Sequence, residues 1–265
     1  MAYDKGVRAK KFLGQHFLHD KTIAERIAES VIGNDKKMPV LEVGPGTGIL
    51  SCYLWQRQDL DVKMVELDSE SVQFLLKNYP DKTSDGRLIE GDFLHLPLTV
   101  FFNEPFIIAG NFPYNISSQI LFKTFENKDT VTQVTGMFQK EVAERIAAKP
   151  CSKTYGILSV LLQAYYNIEY LFTVPPGAFT PPPKVQSGVI RLIRNEREKL
   201  PFPDKTFVTV VKTAFNQRRK TLSNALKPLT QKEKVPGRFA SKRAEELSVE
   251  DFTDLTEWIA SLRSQ

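Results

Sequence analysis

The chain has 265 residues, 42% hydrophobic and 25% charged, so it can bury a full core and hold one large and one small domain. Lysine and arginine total 36 against 31 acidic residues, and the net charge of +5 modestly favours a polyanionic partner. Two cysteines and three histidines form no disulfide or metal-ligand pattern, and no apolar run could span a membrane, so we expect a cytoplasmic protein without a metal.

The first predicted strand, at 40–43, runs into a glycine turn and then a helix at 49–54. Gly44, Gly46 and Gly48 permit positive φ and let a ligand approach the backbone, at the edge where open α/β sheets bind ligands. The Gly-x-Gly-x-Gly spacing matches neither the dinucleotide fingerprint nor a phosphate-binding loop. Alone, the turn is a weak signal, because any strand-to-helix turn can use glycine.

Acidic residues follow the next two predicted strands, at 62–65 and 87–90. Glu66 lies twenty residues beyond Gly46, where a carboxylate can accept both hydroxyls of a ribose. Asp92 follows the third strand and can accept from an adenine amino group. Each acid alone is more often a helix cap or a surface residue. Three strand ends with suitable groups together predict a site for an adenosyl ligand.

The fourth predicted strand, at 105–110, is apolar throughout and ends in Asn111-Phe112-Pro113-Tyr114. The Asn111 side-chain oxygen and the Phe112 carbonyl can accept both N–H groups of a flat exocyclic amine, while Tyr114 stacks on its ring. Such bonds localise charge on a nitrogen whose lone pair is otherwise delocalised. The alternative is a turn asparagine followed by a structural proline.

The rest of the chain predicts the end of a doubly wound sheet and then helices. The predicted elements are a strand at 131–138, a helix from 140, a helix at 156–166, strands at 168–174 and 185–193, and helices at 207–222 and 249–259. No crossover helix fits between the last two strands, so we expect an antiparallel pair. The charged stretch 194–203, with two prolines, is the predicted linker.

These motifs resemble the ribosomal RNA adenine N6,N6-dimethyltransferases, a family of S-adenosylmethionine-dependent enzymes, over nearly the whole chain. The segments that carry the resemblance are 14–18 (GQHFL), 44–48, 65–68 (VELD), 91–94 (GDFL), 111–117, 139–145 (QKEVAER), 179–185 (FTPPPKV) and 214–220 (AFNQRRK). Two positions depart from the family: His16 stands where Asn is common, and Phe112 where Leu is common. The first leaves the role of the side chain at position 16 open.

The resemblance implies a class I methyltransferase, an α/β fold with a Rossmann-like seven-stranded sheet that is mostly parallel with one antiparallel strand. It implies a catalytic domain over 1–200 and a small all-helical domain, which binds RNA or the ribosome, over 201–265. S-adenosylmethionine is the expected cofactor. The residues expected to bind it are Gln15, His16, Leu18, Gly44, Gly46, Glu66, Leu67, Asp92, Phe93 and Asn111.

The resemblance also implies how RNA is held. Phe179 and Tyr114 would sandwich the target adenine, although a core anchor under the proline loop is the alternative for Phe179. With Asn111 and Phe112 they form the predicted catalytic set. The residues predicted to contact RNA are Lys10, Lys11, Lys184, Arg218, Arg219 and Lys220, with Lys227, Lys232 and Lys234 following. A solvated helix end is the alternative for Arg218 to Lys220.

The implied activity is direct methyl transfer to N6 of two adjacent adenosines in a hairpin near the 3′ end of small-subunit ribosomal RNA. We expect a monomer acting on the 30S particle during its biogenesis.

Three alternative functions remain: an antibiotic-resistance methyltransferase of large-subunit RNA, a non-catalytic assembly factor, and a DNA adenine methyltransferase. The first would methylate 50S particles. The second would bind cofactor without methylating. The third lacks an obvious DNA-recognition domain.

Overall fold

The computed structural model describes residues 3–4, 6–231 and 233–262, so Lys232 lies outside the described residues. The strands are β1 (Tyr3–Asp4), β2 (Val7–Arg8), β3 (Phe17–Leu18), β4 (Met38–Val43), β5 (Leu60–Glu66), β6 (Leu88–Glu90), β7 (Phe106–Asn111), β8 (Val131–Gln139), β9 (Tyr166–Val174), β10 (Phe179–Thr180) and β11 (Ser187–Arg194). The helices are α1 (Lys21–Glu29), α2 (Ile49–Leu54), α3 (Ser69–Asn78), α4 (Pro80–Thr83), α5 (Ser117–Glu126), α6 (Lys140–Ala147), α7 (Ile157–Gln163), α8 (Asp204–Asn216), α9 (Leu222–Ala225), α10 (Gly237–Ala240) and α11 (Val249–Leu262).

Seven strands form one sheet in the order β6-β5-β4-β7-β8-β11-β9. The pairs β5–β6, β4–β5, β4–β7 and β7–β8 are parallel, whereas β11 runs antiparallel to β8. The predicted fold class, a mostly parallel seven-stranded sheet with one antiparallel strand, is confirmed. The strand order reverses between β4 and β7, and ligands of such sheets bind at the carboxyl ends of the strands on either side.

The two central strands are apolar because both of their faces are covered. Val40, Leu41, Ile107 and Ile108 are at most 1% exposed. A run of apolar residues is therefore what β4 and β7 require. Helix α1 begins where the Asp20 side chain accepts from the Ile23 amide, at 3.1 Å, which caps the helix start.

Two predicted element boundaries are wrong. The helix predicted at 156–166 ends at Gln163, and the chain enters β9 at Tyr166, where pairing with β11 extends the strand. The helix predicted at 207–222 ends at Asn216, because Gln217 takes a non-helical conformation, with φ −117° and ψ 46°. Arg218, Arg219 and Lys220 therefore lie in a turn rather than on a helix.

The described residues group into two compact units. The first combines 1–143 with 168–194 and carries most of the sheet, and the second combines 144–167 with 195–265 and is largely helical. In the second unit, the Phe215 and Phe252 rings stack with centroids 5.8 Å apart, and the Cys151 amide donates to Glu245 O at 2.7 Å. The boundary at residue 200 stays a prediction. No helix in the described part of the chain is long and apolar enough to cross a membrane.

Candidate active site

A cleft opens in the first unit at the carboxyl ends of β4, β5 and β7. Every residue predicted to bind the cofactor lines it: Gln15, His16, Leu18, Gly44, Gly46, Glu66, Leu67, Asp92, Phe93 and Asn111. Phe112 and Tyr114 line it as well. The structure therefore brings the predicted cofactor residues together with Phe112 and Tyr114, and their roles stay predictions. Three of the lining residues are acidic, and none is a lysine or arginine.

The glycine turn adopts the positive φ angles that its sequence predicts. Gly44, Gly46 and Gly48 have φ of 70°, 57° and 78°, in the left-handed region that other residues avoid. A Cβ at Gly46 would lie 3.1 Å from the Phe17 ring, which is closer than ordinary contact. Only glycine therefore lets the chain pass here without strain or crowding.

Glu66 is buried at the end of β5, and backbone amides hold both of its oxygens. The Gly46 amide donates to Oε2 at 3.0 Å, and the Asp68 amide donates to Oε1 at 2.9 Å. Burial raises the pKa of Glu66, and these two hydrogen bonds only partly oppose the rise. Each oxygen keeps a lone pair for a further donor, such as a ribose hydroxyl.

Glu42 is a site residue that the sequence analysis missed. It lies in β4, lines the cleft and is 1% exposed. Burial raises the pKa of Glu42 to about 8; nearby Ser51 opposes the rise and Glu66 adds to it. Neither Glu42 Oε2 nor Ser51 Oγ has a hydrogen-bond partner among the described atoms. A single acid in an apolar strand was the signal that could have revealed it.

This buried acid predicts a specific pH dependence of stability. The pKa of Glu42 is about 8 in the folded protein against an ordinary 4.5, so between these values the folded state binds more protons than the unfolded chain. Stability should therefore fall as pH rises through this window, relative to Glu42→Gln, by at most about 1.4 kcal/mol per pH unit. Urea unfolding of both proteins at the two ends of the window measures this. Equal pH dependence would show that Glu42 ionises normally.

Asp92 lies at the other side of the cleft and is held by its own turn. Its Oδ1 accepts from the Leu94 amide at 2.8 Å, and its Oδ2 lies 2.8 Å from Nδ1 of the exposed His95. Phe93 beside it is 3% exposed and lines the cleft. The carboxylate therefore has a set direction before any ligand binds.

The orientation of Asn111 is determined by a backbone carbonyl. Asn111 Nδ2 donates to His16 O at 3.1 Å. Because a carbonyl oxygen can only accept, the amide nitrogen must face it, and Oδ1 is left to accept from another donor. This is the orientation that binding of an amine requires.

The Phe112 side chain packs in the core, at a position where the family commonly has Leu. Its side chain is 1% exposed and packs on Phe138, with ring centroids 4.7 Å apart. The Phe112 amide donates to Met137 O at 3.1 Å. The ring is therefore part of the core, and only the backbone of residue 112 can serve a ligand.

Tyr114 is in contact with His16 rather than with Phe179. The His16 and Tyr114 rings stack with centroids 5.4 Å apart and planes 30° apart. The Tyr114 hydroxyl is hydrogen-bonded to Ser187 Oγ. Burial raises the pKa of Tyr114, and this hydrogen bond opposes the rise. The phenol is therefore neutral at physiological pH and its ring is fixed.

The structure does not place Phe179 in the cleft. Its side chain is 2% exposed and belongs to a core cluster with Leu18, Val174 and Ala178. The backbone of Phe179 is held because β10 pairs with β3, where Phe179 lies opposite Leu18. This geometry corresponds to the alternative weighed from the sequence, a core anchor under the proline loop. A sandwich with Tyr114 would require Phe179 to leave the core.

Lys10 is engaged within the protein. Its Nζ forms an ion pair with the buried Asp68 and lies 3.4 Å from Glu70. The hydrogen bond to Asp68 raises the pKa of Lys10, and desolvation opposes this. Gln15 Nε2 also donates to Asp68, at 3.1 Å. Lys10 therefore anchors the segment that enters the cleft, and its contact with RNA stays a prediction.

The remaining predicted RNA contacts divide into one paired residue and four exposed ones. Arg218 forms an ion pair with Glu245 and donates to Lys153 O at 2.7 Å. The exposed residues, which have no acidic partner within 4 Å in the described part of the chain, are Lys11, Lys184, Arg219 and Lys220. No group of His, Cys, Asp and Glu residues among those described could hold a metal.

Comparison with known proteins places the chain in one family. The sequence model of the ribosomal RNA adenine dimethylase family matches residues 6–261. The small-subunit rRNA methyltransferase A of Cytophaga hutchinsonii is 52% identical, over 96% of this chain and 98% of that protein. A dimethyladenosine transferase from Plasmodium falciparum, 24% identical, superposes with a TM-score of 0.79 over 94% of this chain and 98% of its own. The 23S rRNA methyltransferase ErmE, 25% identical, superposes with a TM-score of 0.67 over 92% and 99%. The chain belongs to the ribosomal RNA adenine dimethylase family.

Proposed function

We propose that this protein uses S-adenosylmethionine to dimethylate N6 of two adjacent adenosines in a hairpin near the 3′ end of small-subunit ribosomal RNA. The observation that carries the proposal is the orientation of Asn111, whose Oδ1 is left free as an acceptor in a cleft beside Tyr114. The proposed setting is the cytoplasm, with a monomer acting on 30S particles during their biogenesis.

The polar groups of the cleft suit S-adenosylmethionine. The cofactor carries a net positive charge, and the cleft presents Glu66 and Asp92 without a lysine or arginine, whereas the raised pKa of Glu42 leaves that acid largely protonated at neutral pH. Glu66 would hold the ribose and Asp92 the adenine amino group, while the glycine turn gives close access to the backbone. When bound, the cofactor supplies an electrophilic methyl group.

The residues of this chain would then position and polarise the acceptor amine. Asn111 Oδ1 and the Phe112 carbonyl accept the two N–H groups of adenine N6, and Tyr114 stacks on the base. Acceptors fixed in advance stabilise the positive charge that develops on N6. No side chain acts as a nucleophile, and no strong general base is required, because the nitrogen becomes acidic once it is alkylated.

Small-subunit RNA is favoured over large-subunit RNA as the substrate. The chain is 52% identical to a small-subunit methyltransferase but 25% identical to a 23S rRNA methyltransferase. The test is methylation of 30S and 50S particles from a strain that lacks the modification, with mass mapping of the products. Two dimethylated adenosines in the 30S hairpin are expected. Methylation of 50S particles would favour the large-subunit rival, and cofactor binding without methylation would favour the assembly factor.

The exposed basic turn after α8 should bind RNA phosphates. Replacing Arg219 and Lys220 with Ala should weaken binding to 30S particles. The slope of log K against log salt should fall by about 0.7–0.9 for each phosphate that the variant no longer neutralises. Binding across a salt series measures this, at a saturating cofactor concentration.

Arg218→Ala is the matched variant, because it removes the same charge from a residue already paired with Glu245. It should change the salt slope by less than half as much as the double variant does, and it should lower the stability of the turn. If the double variant keeps the wild-type slope, Arg219 and Lys220 are simply solvated, and the RNA surface lies elsewhere.

A further inference from the structure

The side chain of His16 is held at one face and at one edge. Its ring stacks on Tyr114 at 5.4 Å between centroids, and its Nδ1 lies 2.8 Å from Pro181 O. A carbonyl oxygen only accepts, so Nδ1 carries a proton and donates. The ring is half-buried and lines the cleft. One aromatic contact and one hydrogen bond therefore keep it against Tyr114.

The backbone of His16 is held independently of its ring. His16 O accepts from Asn111 Nδ2 at 3.1 Å, and Phe17, the next residue, pairs with Thr180 between β3 and β10. On the other side, Gln15 donates to Asp68. The imidazole can therefore rotate away while the backbone stays in place and Asn111 keeps its orientation.

The imidazole of His16 covers a face of the Tyr114 ring on which a substrate base could stack. Centroids 5.4 Å apart are in direct ring contact, so no base fits between His16 and Tyr114. The Tyr114 ring is itself fixed by the bond from its hydroxyl to Ser187. A base that stacks on this face of Tyr114 and the imidazole of His16 must exclude each other.

We infer that His16 is a displaceable substitute for the target adenine, a planar ring that covers Tyr114 until an RNA base replaces it. This inference rests on the proposed function. Displacement takes the same free energy from every base that enters. His16 would thus lower the affinity for every RNA by the same factor, and only an RNA that makes many other contacts, such as a ribosomal particle, would still bind tightly. The ratio of affinities between two RNAs would stay unchanged.

The test compares variants by their KM for unmethylated 30S particles and for an isolated RNA hairpin with two adjacent loop adenosines, at saturating S-adenosylmethionine. His16→Ala and His16→Asn both remove the ring, and each should lower KM by about tenfold, the scale of one ring contact and one neutral hydrogen bond. The factor should be the same for both RNAs. His16→Phe keeps a ring without the donor and should lie between these variants and the wild type.

His19→Ala is the control, because His19 is an exposed histidine that does not line the cleft. It should leave both KM values unchanged. An unchanged or raised KM in both His16→Ala and His16→Asn overturns the inference, as does a lower KM in His16→Phe than in His16→Ala. If one ringless variant does not fold, the other decides. A wild-type protein that does not methylate the particle would refute the proposed function instead.

Discussion

Asn111→Ala should reduce the single-turnover rate of methyl transfer by about 100- to 1000-fold, the usual loss when one preorganised transition-state group is removed. The structure gives the reason: Asn111 Nδ2 is engaged by His16 O, so Oδ1 is available to the amine. Because this acceptor acts on charge that develops during the reaction, the rate should change far more than substrate affinity. Rapid-quench measurement on 30S particles, together with calorimetric cofactor affinity, separates the two effects.

Two variants sharpen that experiment. Asn111→Asp keeps acceptor oxygens but loses the donor to His16 O, so oxygen would face oxygen and the side chain should turn away. It should also be strongly impaired. Asn115→Ala makes the same deletion at a residue whose amide donates to Phe12 O, at 3.4 Å, and should keep most of the rate. A rate for Asn111→Ala within about threefold of the wild type would contradict its role.

Much of the cleft could be predicted because its residues lie at the carboxyl ends of predicted strands. The glycine turn at 44–48 directly follows β4, and Glu66 is the last residue of β5. Since parallel strands present their carboxyl ends at one edge, residues in such places meet whatever the loops do. Asn111, at the end of β7, joins them for the same reason. The order of the strands in the sheet was not predicted, because apolar patterns do not encode which strands are neighbours.

Contacts between segments that are far apart in the chain could not be predicted from the sequence. Lys10 and Asp68 are 58 residues apart, and His16 and Pro181 are 165 apart. Such pairs depend on how loops pack, and neither periodicity nor turn chemistry records that. For this reason the sequence analysis, which predicted that Lys10 and Arg218 contact RNA, did not foresee that both form ion pairs inside the protein. Phe179 was predicted to face the cleft, although β10 holds it in the core.

Gly46→Val should lower the affinity for S-adenosylmethionine by at least about 100-fold, since losing a hydrogen bond to a charged group alone costs about 1.5–3 kcal/mol. Gly46 has a φ of 57°, which a β-branched residue resists, and its amide donates to Glu66 Oε2. A Cβ there would also lie 3.1 Å from the Phe17 ring. We expect the strain at this φ to displace the Gly46 amide from Glu66 and the added side chain to narrow the cofactor cleft. Isothermal titration with the cofactor measures the loss.

A control variant separates the effect of backbone strain on cofactor affinity from the effect of crowding at the site. Gly86 has a φ of 72°, but nothing lies within 4 Å of a Cβ placed there, and it does not line the cleft. Gly86→Val therefore carries a similar conformational strain, about 1–3 kcal/mol, without crowding the site. Both variants should lose stability to urea, and only Gly46→Val should lose the cofactor. If the two lose cofactor affinity equally, the effect is one of global stability, and the glycine turn is not the cofactor cradle.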